Sequence, residues 1–147
     1  MIITRIASTT FLLYPVTMTI TTFILFIIIF LAPSVYQRTR FALQPDYFLK
    51  ISLRKKVGLQ IHHAHWGLIW LLISNLFYIF GNHSIFAILL SGLGWGLILD
   101  EIIPHLKMPS DNRALELEVY KKSTKPTFIL IGIATIAFVL LFLLTAH

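Results

Sequence analysis

Cysteine is absent from all 147 residues, so the chain has neither disulfides nor thiolate metal ligands, and nothing in it reports the redox state of its compartment. Charge is scarce too. Asp, Glu, Lys and Arg together make up 12% of the chain, against the roughly 25% usual in soluble domains. Only 6 residues are acidic, beside 12 basic ones. Such a chain cannot cover a soluble globule with polar surface, because 57% of it is hydrophobic. The net charge of +6 would suggest nucleic acid as the partner of a soluble protein. Here the basic residues sit beside apolar runs, where membrane orientation accounts for them and no nucleic-acid partner is expected. The first partner implied is the lipid bilayer.

The sequence predicts an all-α integral membrane protein, a single domain over 1–147 with four transmembrane helices at about 11–31, 62–80, 84–105 and 127–146. The first and last runs contain no charged residue and are long enough to cross the hydrocarbon core. No A-x-A-like cleavage site follows the first, which is therefore read as a retained helix and not a signal peptide. The middle two runs are short. Segments 66–80 and 85–99 offer only 15 residues each without charge or histidine, about 22 Å of helix against roughly 30 Å of hydrocarbon. To cross, each must draw its polar end into the membrane boundary.

Four crossings put loops 32–61 and 106–126 on one side. The first carries Arg38, Arg40, Lys50, Arg54, Lys55 and Lys56, and the second Lys107, Arg113, Lys121, Lys122 and Lys125. That leaves Arg5 alone among the 12 basic residues on the other side, which the positive-inside rule reads as outside. The expected placement is a multi-pass protein of the cell membrane with both termini outside. Within the loops, 49–54 (LKISLR) and 115–120 (LELEVY) alternate apolar with polar residues, the period of a half-buried strand. They predict a short two-stranded ribbon with Lys50 and Arg54 facing Glu116 and Glu118. The competing reading of the second segment is a helix capped by Asp111 and running through Leu117.

Small residues mark where helices approach. Gly92, Gly94 and Gly96 contain a G-x-x-x-G spacing that lets a neighbouring backbone come close, whether from this chain, a second copy or another membrane subunit. The pattern is no nucleotide loop, for it follows no strand and lacks the third glycine of G-x-G-x-x-G. Thr17, Thr19, Thr21, Thr22 and Asn75 are expected to hydrogen-bond between helices.

The chemistry concentrates at two polar clusters. His62, His63 and His65 open the second run, and Asp100, Glu101 and His105 close the third. The short turn at 81–84 makes these runs an antiparallel hairpin, so the clusters meet at one membrane face. His62 and His65 are three apart and Glu101 and His105 four apart, spacings that aim side chains from one helix face at a common point. Imidazole with carboxylate suits zinc, iron, manganese or copper, so His62, His65, Asp100, Glu101 and His105 form a candidate transition-metal site. His63 is expected to point elsewhere, and Pro104, which has no N–H for the Asp100 carbonyl, to loosen the helix beside the cluster. No H-E-x-x-H motif is present. Two functions follow: a metal-dependent membrane enzyme acting on a lipid-phase substrate, or a non-catalytic subunit of a larger membrane complex. In the second, the cluster is an ion-pair network in which Asp100 and Glu101 neutralise Arg54, Lys55 or Lys56.

Overall fold

A computed structural model describes residues 18–43, 63–81, 84–107 and 113–145. These form four helices, α1 (Ile20–Leu43), α2 (His63–Ile79), α3 (Ile85–Lys107) and α4 (Arg113–Thr145), with no strand among the described residues. Three stretches are long and apolar enough to cross a membrane, Ile20–Arg40, Ile85–Lys107 and Glu118–Thr145. The 17 residues of α2 make a helix of about 25 Å.

Both α1 and α4 overrun the apolar segments the sequence marks out. α1 continues past residue 31 to Leu43, and α4 begins at Arg113 instead of 127. The ribbon expectation is thereby corrected: 115–120 lies within α4, while 49–54 is outside the described residues. Ala, Leu, Glu and Lys crowd this stretch, and all are strong helix formers. An exposed Glu118–Lys122 pair at 3.3 Å adds helical i,i+4 support, so Glu118 finds its cation on its own helix. Tyr120, Ser123, Thr127 and Ile131 are buried. Their spacing of three, four and four is that of one helix face, and it overrides a six-residue alternation.

Helix starts and stops follow local chemistry. Thr19 caps α1 through the Thr22 N–H, which donates to its Oγ1 at 3.2 Å, and the two hydroxyls lie 2.9 Å apart. Thr19 and Thr22 thus bond locally rather than between helices; Thr17 lies outside the described residues. Ser84 accepts from the Ala87 N–H at 3.4 Å and opens α3. α2 closes on Gly81, whose φ of 72° only glycine adopts without strain.

α3 is the central helix and packs on all three others. Its glycines explain how. Residues four apart on a helix share a face and residues two apart point nearly oppositely, so Gly92 and Gly96 face one neighbour while Gly94 faces another. A Cβ at Gly92 would come within 3.1 Å of the Phe26 carbonyl, and one at Gly96 would collide with that of Phe30. On the far side the contact is reciprocal. A Cβ on Gly67 would lie 2.7 Å from the Gly94 carbonyl oxygen, and one on Gly94 2.8 Å from that of Gly67. Small residues on two faces let α3 sit close between α1 and α2. The Gly92/Gly96 face, expected to serve other membrane subunits or self-association, packs against α1 of the same chain.

These contacts fix the directions. Phe26 on Gly92 and Phe30 on Gly96 advance together, so α1 and α3 are parallel. The Ser74 hydroxyl donates to the Ala87 carbonyl at 2.8 Å while Gly67 meets Gly94 and Ile98, so α2 is antiparallel to α3. Phe23 stacks on Phe142 at 4.2 Å, and Phe138 meets Phe26 and Phe30 edge-on at 5.1 and 5.3 Å. α4 therefore runs antiparallel to α1, and this aromatic cluster lies at the end of the bundle away from Asp100.

Candidate functional site

At the other end, four helices deliver polar groups to one buried cluster, and two of them, α1 and α3, deliver charged side chains. Asp100 and Glu101 are each 1% exposed on α3, and Arg38, itself 7% exposed, reaches Asp100 from α1. Its Nε donates to Asp100 Oδ1 at 3.3 Å, forming a buried ion pair. Nη1 donates to the Tyr120 carbonyl at 2.9 Å and to Thr124 Oγ1 at 3.3 Å. Nη2 donates to the Asp100 carbonyl at 3.1 Å and to Thr127 Oγ1 at 3.3 Å. A guanidinium has five N–H groups, and here all five are engaged. The guanidinium also lies over the Tyr120 ring, 5.5 Å from its centre.

Pro104 contributes by what it lacks. Within α3 it leaves the Asp100 carbonyl without its helical donor, and Arg38 Nη2 supplies the missing hydrogen bond. A proline that loosens one helix thus creates an acceptor for another. One side chain ties α1 to both the carboxylate and the main chain of Asp100, and ties both to the start of the apolar part of α4.

Glu101 points about 100° around α3 from Asp100. Its Oε2 accepts from the Ala64 N–H at 2.6 Å, at the first turn of α2, and its Oε1 accepts from the Tyr120 hydroxyl at 2.8 Å. A carboxylate there satisfies an amide with no partner inside its own helix, and it meets the positive end of the helix dipole. The guanidinium pairs with the Asp100 carboxylate, while α2's N-terminus and the tyrosine hydroxyl face that of Glu101.

The histidines are placed differently from the sequence expectation. His63 turns inward from α2, where its ring lies 2.8 Å from Gln37 Nε2 of α1. His65 and His105 are exposed, and His62 lies outside the described residues. The physical reason is register: α2 begins opposite Glu101, so His105, one turn further along α3, lies beyond the start of that helix, while His65 is rotated away from the face that carries Ala64 and Gly67. Asp100 and Glu101 do come together, but among the described residues no group of three or more His, Asp or Glu side chains is arranged to hold a metal ion. The counter-charge to Asp100 is Arg38; Arg54, Lys55 and Lys56 fall outside the described residues.

Arg38, Gln37, Tyr120, Thr124 and Thr127 are the site residues that the sequence reading missed. A signal was present. Ser34, Gln37 and Arg38, and again Tyr120, Thr124 and Thr127, repeat at helical spacing and extend the polar face of each helix inward from the loops. The chain matches no model of a known protein family, no curated protein and no solved structure, so its function is argued from its own residues.

Proposed function

We infer that this chain is a non-catalytic component of a membrane assembly, a four-span bundle whose polar cluster is a structural clamp. The observation that carries this reading is the saturation of Arg38: five donors on five acceptors leave it none for a substrate anion. Both carboxylates are also engaged, one with a cation and one with an amide and a hydroxyl. Buried polar groups satisfied in this way specify a unique packing. In the four-span arrangement the clamp lies at the cytoplasmic face of the cell membrane, where the basic loops 32–61 and 106–126 lie, and both termini are outside.

The test is elemental analysis of protein purified without chelator, together with the thermal stability of a Glu101→Gln variant. The structural reading expects no stoichiometric zinc, iron, manganese or copper. It also expects lower stability, because the amide keeps the shape but loses the charge at the end of α2. Stoichiometric metal in the wild type, stripped by Glu101→Ala or His65→Ala, would return the site to His62, His65, Asp100, Glu101 and His105 and to a metal-dependent reaction.

A further inference from the structure

Asn75 is exposed in the second half of α2, four residues before its end at Ile79, and among the described residues no hydrogen bond reaches its amide. The apolar residues around it are the most outward-facing of the helix: Leu68 is 60% exposed, Leu72 62% and Ile79 74%. Leu68, Leu72, Asn75 and Ile79 are spaced four, three and four, the a/d repeat of a helix seam. The α3-facing residues of α2, Ala64, Gly67, Leu71 and Ser74, form a separate stripe with the same kind of spacing. α2 thus carries two stripes, and among the described residues only one is filled.

We propose that the Leu68–Leu72–Asn75–Ile79 stripe is a homodimer seam, with α2 of a second copy packed parallel against it and the two Asn75 amides hydrogen-bonded to each other. A primary amide in a lipid-facing stripe calls for a polar partner, since hydrocarbon offers none. A second copy supplies one at the right depth. All copies insert with the same orientation, so a two-fold axis along the membrane normal brings Asn75 opposite Asn75, where each amide donates to and accepts from the other. A polar residue at one position of an apolar seam fixes register and partner number, as a lone asparagine does in coiled coils. This rests on α2 being a membrane span, which labelling of position 82 tests separately.

Because the chain has no cysteine, single cysteines report cleanly. In native membranes under mild oxidation, Leu68→Cys, Leu72→Cys and Ile79→Cys should form disulfide-linked dimers, while Ile73→Cys, about a third of a turn off the stripe, should form few. In detergent, Asn75→Leu should weaken self-association about tenfold, with Asn75→Gln retaining most of it, and neither should lower the stability of the monomer. Equal cross-linking at position 73, the absence of dimers at all three seam positions, or a cross-link to a different protein would each overturn the proposal.

Discussion

Arg38 holds the bundle together because it replaces several weak contacts with one rigid fork. A lysine at the same position keeps the charge but has three donors on a flexible stem. It could satisfy Asp100 or Tyr120 but not all five acceptors. Arg38→Lys is therefore expected to destabilise by about 1–3 kcal/mol through buried acceptors left unmade. Arg38→Met, which also leaves Asp100 buried without its cation, should cost about 3–5 kcal/mol. Thermal unfolding in detergent checks both, and equal loss in the two variants would show that charge, not geometry, is what the clamp uses. At this scale the sequence announced the acidic half of the site and hid the basic half. Asp100 and Glu101 stand out because they end an apolar run. Arg38 is one of six basic residues in an apparent loop, and only the continuation of α1 through Pro33 to Leu43 brings it into the bundle.

Among the elements, α3 sets the spacing of the others. Its glycines sort by face, and substitution should reveal the sorting. Gly96→Ala directs a methyl at the Phe30 carbonyl, a main-chain atom that cannot swing aside, and is expected to destabilise by about 1–3 kcal/mol. Gly132 on α4 is the internal control, since nothing lies within 4 Å of where its Cβ would be. Gly132→Ala should be neutral or stabilising by up to about 1 kcal/mol, from helix propensity alone. Similar losses at both sites, measured by thermal unfolding, would sink the close-packing argument. The G-x-x-x-G of Gly92 and Gly96 was legible beforehand, but its partner was not, because spacing names a face without naming the helix that meets it. Gly67 gave no motif at all: it is a lone glycine in a helix of large side chains, and only its register opposite Gly94 gives it a role.

For the molecule as a whole, alternating helix directions bring the ends of α1 and α3 and the starts of α2 and α4 to one side, in keeping with the lopsided distribution of Lys and Arg. Single cysteines at Asn82 and Asn112 should separate the two faces under an impermeant thiol reagent on intact cells. Position 82 should react from outside, and position 112 only after lysis. The reverse pattern, or reaction at both positions, would rule out the four-span topology. Element type and order were readable from hydropathy, because long apolar runs have few alternatives in lipid. The helical extensions at 32–43 and 113–126 were not, because charge was taken to end the helix when it only ends the apolar part of it.

The amide cap that Glu101 places on α2 also bears on how the protein is made. Emerging from the ribosome, α2 precedes α3, and alone it is a short helix with an unsatisfied first turn and an asparagine among its leucines. Its capping group arrives only with Glu101, in the last third of the next helix. α2 alone is therefore expected to settle poorly in the bilayer, and the two helices to enter together as a hairpin held by the contacts of Gly67 with Gly94 and Ser74 with Ala87. The order of synthesis and the order of stable insertion then differ, and α3 is the helix on which insertion turns.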